Sequence, residues 1–526
     1  MSVRTVGNLK KLAETASFSR EFWQAVIFIL ILSYISYTII YSLYFSPLAP
    51  FPGPKLWAVS SIPYQISILR GRSHRKVLAL HDYYGSVVRV GPDELSFNNA
   101  QAFRDIYGFR PGRPQLPKDP KLYASKMNGV RDSIGGYLDN EAHTRQRRLL
   151  SHAFSERCLR EQEEAIVQYV DLLIRRLRDR TKLDPKHEAT EDLKNWFTFV
   201  TFDITGDLMF AETFDCLRDG KLHPWIALIF ATMKGITFLS VINHFSLIRV
   251  LQKWALPESL REKMMQHFND TTQKADRRLQ KGATRPDLMS AILKNGLGDS
   301  QGKFVENQPI MSRREIHANS VFITVAGSET SASILSGCVY YLCKYPDAME
   351  RICKEVRAAF SRDDEITSAK CGRLPYLNAV IEESLRLYPP LVTSLPRLIP
   401  KGGDIVDGYL LPEDTTVSTH HYASYHAAAN FVFPEQFAPE RWLNDSRFSS
   451  DKLEVLHPFS LGPRNCLGKN LAYLEIRLIL SKMLYNFDME LSPDCENWID
   501  QHVYTIWDKP ALMVRLRDRL HDLNLA

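Results

Sequence analysis

The stretch FSLGPRNCLG, residues 459–468, ends a turn-rich segment and runs directly into a periodic pattern that predicts a helix over Leu467 to Asn486. Its Cys466 follows Gly462 by four residues and precedes Gly468 by two, and glycine permits the tight bends such a loop needs. Free amides at the helix start point toward the sulfur and, with the helix dipole, favour the thiolate. A thiolate presented this way is suited to bind a soft or borderline metal from one side. Of the eight cysteines (158, 216, 338, 343, 353, 371, 466 and 495), only this one has such a setting. The alternative is a buried structural thiol.

Three further features lie upstream. NAVIEESLRLYPP (378–390) carries Glu383 and Arg386 at a spacing of three, which puts both on one helix face. Its apolar neighbours and the Pro389-Pro390 stop leave two readings, a surface pair or a buried structural one. VFITVAGSETSASIL (321–335) places Glu329 and Thr330 inside an apolar helix, where an acid and a hydroxyl need partners or a cavity; a solvent-facing polar stripe is the alternative. PERW (439–442) offers Arg441 as a cation for pairing.

Around these motifs the pattern is mostly helical. Helices are expected over Glu161 to Arg180, Glu191 to Met209, Leu260 to Gln280 and Arg313 to Tyr345, with strand-like SVVRV (86–90) and ELSF (94–97). That mix predicts one mainly α body with small sheets attached. The chain has 526 residues, 45% hydrophobic and 24% charged, which excludes bulk disorder and collagen-like repetition. A formal charge of +6 over this length is too weak to argue for nucleic acid. No C-x-x-C pair occurs, so reduced thiols on the cytosolic side are expected.

No charged residue lies between Glu21 and Lys55. Inside that gap AVIFILILSYISYTIIYSLYF (25–45) has about the twenty apolar residues that cross a bilayer as a helix, with Trp23, Tyr41 and Tyr44 near its ends. It runs straight into SPLAPFPGP with no A-x-A site, which disfavours a cleaved signal peptide; a buried core helix is the other alternative. Pro47, Pro50, Pro52 and Pro54 then predict a stiff extended spacer.

In this order the four motifs resemble the cytochrome P-450 family of haem-thiolate monooxygenases. Residues 459–468 fit the family's F-x-x-G-x-R-x-C-x-G signature at every position, the similarity runs from Phe51 to Leu525, and the anchor matches the microsomal class. The resemblance implies the cytochrome P-450 fold, a mainly α body with small β-sheets preceded by one transmembrane helix. It divides the chain into an N-terminal tail (1–24), an anchor (25–45), a proline-rich hinge (46–54) and a catalytic domain (55–526).

The implied cofactor is haem b (iron protoporphyrin IX), with Cys466 as axial iron ligand, Phe459 shielding the thiolate, Gly462 and Gly468 shaping the loop, and Arg464 pairing with a propionate. His143 and Arg147 in HTRQRRLLSHAFS (143–155) and Arg397 in SLPRLIP match further propionate contacts, His143 standing where Trp is commoner; a solvated basic helix face is the plain alternative. Glu383, Arg386 and Arg441 match the family's structural triad. Glu329 and Thr330 match its acid–alcohol pair for proton delivery, with Glu where many relatives carry Asp.

The implied reaction puts one atom of dioxygen into a hydrophobic small molecule by hydroxylation or epoxidation. Electrons come from NADPH through a membrane-bound cytochrome reductase, with cytochrome b5 as an optional second donor and Lys469 as a docking candidate; the chain has no dinucleotide fingerprint of its own. The style of FPGPKLWA, RVGPDELSF and GFRPGRPQLPKDPKLY resembles fungal enzymes that tailor polyketides, terpenoids or alkaloids, mycotoxins among them. Pocket positions carried over are Val321, Phe322 and Ala326, then Leu391, Val392 and Leu395, and Tyr504 in the last turn, which runs on to Trp507. An isomerase or dehydratase that needs no reductase, and a non-catalytic haem binder, are the alternatives; retention of Thr330 favours oxygenation. The class sits in the endoplasmic reticulum membrane with a cytosolic body. That topology opposes the positive-inside count, since Arg4, Lys10, Lys11 and Arg20 precede the anchor and only Lys55 closely follows it.

Overall fold

A computed structural model describes residues 20–123, 132–245, 258–282, 285, 287–293 and 310–519. Most of the tail assigned to 1–24, with Arg4, Lys10 and Lys11, lies outside these residues, as does Leu525. The axis of the molecule is the helix Arg313–Lys344. It starts at a capping box, in which Ser312 and Glu315 satisfy each other's amides. It lies against Leu193–Phe210, and both helices are buried on nearly all sides. Neither shows a one-sided apolar stripe, as befits helices enclosed by others. By contrast Glu156–Thr181 buries only one stripe (Ile166, Val170, Leu173, Leu177) and turns its charges outward. Lys469–Asn486 packs on the same core, and its Leu474, Leu478 and Leu484 join the central cluster.

The strands in chain order are β1 (Val87–Gly91), β2 (Glu94–Phe97), β3 (Glu188–Asp192), β4 (Arg397–Leu398), β5 (Asp404–Val406), β6 (Tyr409–Leu411), β7 (Thr416–Thr419), β8 (Phe487–Leu491), β9 (His502–Tyr504), β10 (Ile506–Asp508) and β11 (Met513–Asp518). They form a four-stranded sheet in the order β1-β2-β7-β4, a three-stranded sheet β3-β11-β8, and two hairpins, β5-β6 and β9-β10. Within the first sheet only β2 and β7 run parallel. The helix expected from Glu191 starts instead at Leu193, because Glu188–Asp192 pairs antiparallel with β11, Thr190 opposite Arg515. The helix expected from Leu467 starts at Lys469.

The N-terminal helix Arg20–Ile40 continues as a π-helical turn, Tyr41–Phe45. Residues 22–45 are long and apolar enough to cross a membrane. Leu30 is 62% exposed and Phe45 71%, which excludes a buried core helix. The spacer after it is not free-standing. Leu48 is buried in a cluster with Val87, Leu95 and Phe97, so residues 46–54 lie folded against the first sheet.

Histidines are buried beside that sheet. His74 packs edge-on to Tyr422 and Trp507, with ring centroids 4.9 and 5.4 Å away. Neither nitrogen of His74 or His420 has a hydrogen-bond partner among the described residues. Burial first, and then the nearby Arg75 and Arg72 charges, lower the His74 pKa to about 3; burial holds His420 well below its ordinary value. Below the ordinary value of 6.5 the unfolded chain therefore binds protons that the folded chain refuses, and stability falls as pH falls. Each such histidine contributes about 1.4 kcal/mol per pH unit to that slope. Replacing His74→Phe keeps a ring in place and removes one titrating group. Denaturant midpoints between about pH 6.5 and 5 should then show a slope shallower by about that amount; an unchanged slope would mean that His74 takes its proton in the folded state.

Candidate active site

The Cys loop is shaped by its backbone. The Cys466 amide donates to the Phe459 carbonyl at 2.8 Å, and Gly462–Arg464 forms a 3₁₀ turn. Gly462 has φ +69°, and a Cβ there would lie 2.1 Å from the Tyr107 carbonyl oxygen, so the loop can sit on the helix Ala100–Tyr107 only with glycine. The Phe459 ring lies 5.2 Å from that of Tyr473, and the Lys469 ammonium is 5.9 Å from the Phe459 ring. All eight thiols are free, and Cys466 alone is exposed. Protein surrounds it on its other sides, and burial raises its pKa; the Gly468 amide and the Arg147 and Lys469 charges oppose that rise without reversing it. The thiolate expected from the helix start therefore needs a metal ion on the sulfur to complete it.

Five basic groups converge beside this loop: Lys118, His143, Arg147, Arg397 and Arg464. No ion pair is formed by any of them among the described residues. Burial, and then the cations around them, bring Lys118 down to about 6, His143 to about 3 and Arg464 to about 10. Two of the five make straps within the protein. Arg147 donates to the Asn465 carbonyl and side-chain oxygens, at 2.5 and 2.6 Å. Arg464 returns the tie, donating to the carbonyls of Tyr137 and Leu138 and to Asn140 Oδ1, at 3.0, 3.1 and 2.9 Å. Arg147 and Arg464, two of the four expected propionate contacts, thus hold protein oxygens, while Arg464 Nε and Arg397 Nη1 are buried without hydrogen-bond partners among the described residues. Lys118, which the sequence did not single out, donates to the Gly135 carbonyl at 2.6 Å and forms a β-bridge with Arg397.

On the long axial helix, Phe322, Ala326 and Thr330 are half-buried while Val321, Ile323, Thr324, Ser328 and Glu329 are buried. A spacing of four puts the half-buried three on one open stripe. Thr330 Oγ1 donates back to the Ala326 carbonyl at 2.6 Å. Glu329 points elsewhere. Its Oε1 is 2.5 Å from the Lys509 ammonium, both side chains being 3% exposed, and Oε2 is buried without a hydrogen-bond partner among the described residues. Ser333 completes the contact, its hydroxyl accepting from Lys509 at 2.8 Å. The acid and alcohol adjacent in sequence are thus engaged with different partners.

The pocket positions divide similarly. Leu391 and Leu395 are half-buried, whereas Val321 and Val392 are buried. Tyr504 stacks on His502 and lies under Lys234, turned from the small cavity of about 110 Å³ that Val503 and Thr505 line. Alternation along the strand explains this, since neighbouring side chains take opposite faces.

The Glu383 cluster is fully buried. Arg386 grips both Glu383 oxygens, at 2.9 and 2.8 Å, and Arg441 reaches Oε1 at 3.4 Å. Trp442 Nε1 donates to Oε2 at 3.0 Å, and Asp451 pairs with Arg441. Burial alone would raise the Glu383 pKa; the two guanidiniums hold it below its ordinary value.

These residues fit haem b on three counts. The one exposed thiol offers a metal ligand. The buried cations without carboxylate partners suit an anionic group such as two propionates. The stripe Phe322-Ala326-Thr330 gives an apolar surface with one hydroxyl.

The family model for Cytochrome P-450 matches residues 50–511. The chain is 41% identical to cytochrome P-450 monooxygenase efuB of Hormonema carpetanum, covering 92% of this chain and 95% of that protein. It is 39% identical to trichothecene C-15 hydroxylase of Fusarium sporotrichioides, over 93% and 96% of the two chains. With versicolorin B desaturase stcL of Emericella nidulans it shares 38% identity, over 92% and 96%.

Removing Glu383 strands the buried Arg386 guanidinium and leaves Arg441 with Asp451 alone. Glu383→Ala should cost about 3–5 kcal/mol, read as a fall in the unfolding midpoint and in the yield of pigmented protein. A midpoint within error of the wild type would show that the cluster does not support the fold.

Proposed function

The chain belongs to the cytochrome P-450 family and is a haem-thiolate monooxygenase, and on that premise we propose that it hydroxylates or epoxidises a hydrophobic polyketide, terpenoid or alkaloid in fungal secondary metabolism. The relatives named for hydroxylation of a trichothecene and desaturation of versicolorin B support that pathway class. The observation that carries the reading is the single exposed thiol, fixed by Arg147 and the Phe459 carbonyl in a loop of the family's signature.

Haem b, when bound, supplies the oxygen-activating chemistry, with electrons from NADPH through a reductase. The chain's own residues do the rest. Cys466 Sγ would hold the iron. Arg397, Lys118 and Arg464 Nε supply positive charge for the propionates, with His143 among them. Phe322 and Ala326 offer the substrate an apolar wall and keep water from it. Thr330 Oγ1 carries a proton for the oxygen chemistry, whereas the Glu329 carboxylate would first have to take one up; each must let go of its present partner, Ala326 or Lys509, before it can pass a proton on.

The same reading gives 25–45 the role of anchor, 46–54 that of hinge and 55–526 that of catalytic domain. It places the enzyme in the endoplasmic reticulum membrane with its body toward the cytosol, where the reductase and, as a second donor, cytochrome b5 can dock at the Lys469 face.

The reduced, carbon-monoxide-bound absorption spectrum tests the ligand. A strongly red-shifted Soret band should be present in the wild type and absent in Cys466→His; folded wild-type protein without it would end the haem-thiolate assignment. Label from isotopic dioxygen should then enter the product, whereas an unlabelled product would point to an isomerase or dehydratase. For proton delivery, Lys509→Met leaves the Glu329 carboxylate buried without its cation. Product formed per NADPH should drop and hydrogen peroxide rise, with Lys509→Arg restoring both. Coupling equal to wild type in Lys509→Met, with the carbon-monoxide band intact, would remove Glu329 from the proton path.

A further inference from the structure

The junction between the N-terminal helix and the body contains a buried guanidinium that the oxygenase chemistry does not use. Arg89, in β1, is 2% exposed. Its Nη1 donates to the Ser42 carbonyl at 2.9 Å; Nη2 donates to Ser42 Oγ, Ser46 Oγ and the Pro92 carbonyl at 3.1, 3.4 and 2.6 Å; Nε donates to the Gly91 carbonyl at 3.3 Å. Every acceptor is neutral, and no ion pair is made by Arg89 among the described residues. Two of the acceptor residues, Ser42 and Ser46, belong to the end of the apolar helix and the residue after it.

Further contacts hold the junction from other directions. Ser42, buried within an otherwise outward-facing apolar segment, donates from its hydroxyl to the Ala58 carbonyl. The Arg89 amide donates to the Pro52 carbonyl at 2.7 Å, and a Cβ on Gly53 would lie 2.4 Å from the Arg89 carbonyl oxygen. The chain thus leaves the helix, turns through the prolines and returns onto the residue that grips the helix end. Prolines stiffen the chain locally, but bonds across the junction are what fix an angle between two bodies.

That angle has a consequence at the neighbouring surface. The short helices Lys55–Val59 and Ile62–Leu69 expose Leu56 (66%), Ile62 (52%) and Ile66 (41%) around a cleft of about 680 Å³, with Leu69 (39%) exposed beside it. Arg70, Arg72 and Lys76 stand at the rim of this cleft. An apolar face with a cationic margin, continuous with a membrane-spanning helix, matches the acyl chains and anionic headgroups of a phospholipid interface.

We propose that Arg89 clamps the anchor helix to the catalytic body as one rigid lever, so that the Leu56-Ile62-Ile66-Leu69 face meets the phospholipid surface at a fixed tilt. The proposal rests on the reading of residues 22–45 as a membrane anchor. Lysine cannot replace the clamp fully, because one ammonium cannot reach Ser42, Gly91 and Pro92 oxygens along the separate arms of a guanidinium.

The test uses the full chain with haem, in vesicles of phosphatidylcholine and phosphatidylserine and in detergent, followed by flotation and amide hydrogen exchange of peptides spanning 55–70. Wild-type protein should float with the vesicles, and those amides should exchange severalfold more slowly in vesicles than in detergent. Arg89→Ala should still float and keep its carbon-monoxide band while losing the lipid-dependent slowing; Arg89→Lys should recover part of it. The double variant Ser42→Val with Ser46→Ala removes both hydroxyl acceptors of Arg89, and with Ser42 the bond to the Ala58 carbonyl, while leaving every residue of the body unchanged, and decides the matter if Arg89→Ala does not fold. Slowing retained in the folded variants would overturn the clamp alone. Wild-type protein that fails to float would overturn the anchor reading, and the clamp with it.

Discussion

Two guanidiniums sharing the buried Glu383 carboxylate hold the part of the molecule that has least regular structure. Between Tyr425 and Cys466 the chain runs mostly through turns and short 3₁₀ segments, so many of its carbonyls have no helix or sheet partner. A buried carbonyl without a donor is costly. Arg386 supplies donors to the carbonyls of Tyr425, Pro434 and Gln436, and Arg441 to that of Val432. Glu383 and Asp451 then compensate the charge those donors bring. A hydrophobic substitute of equal volume could fill the space, as buried ion pairs often allow, but it could not bond four irregular carbonyls. The cluster exists because a loop, and not a helix, must deliver Cys466.

The straps between Arg147 and Asn465 and between Arg464 and the start of Asn140–Ser151 extend the same logic. Each guanidinium sits on the element that the other one grips, so the Cys loop and that helix are cross-braced. The bracing uses donors that the sequence reading assigned wholly to propionates. What remains for an anionic ligand is the field of the cluster and a few free N–H groups. The lowered pKa values of Lys118, His143 and Arg464 express that field: burial and mutual repulsion make positive charge expensive there until an anion arrives.

Much of this was legible from residue types. The long helices follow from period and length, and their cores match the expected spans within a few residues. The strand at Glu188–Asp192 was not legible, because its polar sequence EATED has no strand alternation and owes its form to β11, more than three hundred positions later. A separation of 180 positions likewise hides Lys509 from Glu329. Motif spacing finds groups that share a helix face, as with Glu383 and Arg386. It cannot find a partner brought by the tertiary fold. Lys118 was missed for a related reason: a lone lysine among prolines carries no periodic signal, and only the β-bridge to Arg397 sets it in the cluster.

The distal side presents the converse problem. Glu329 and Thr330 stand together in sequence, yet a helix turns by about 100° per residue, and the two side chains serve different neighbourhoods. Thr330 belongs to the open stripe with Phe322 and Ala326, while Glu329 lies in the core with Lys509, Ser333 and the hydroxyl-bearing Tyr388 nearby. A carboxylate held so firmly is a poor free base. It becomes useful only if its ion pair can exchange partners, and that pair joins the long axial helix to Lys509, the residue after β10. The arrangement therefore keeps charge buried and neutralised at rest and places the acid one residue from the hydroxyl on the half-buried stripe.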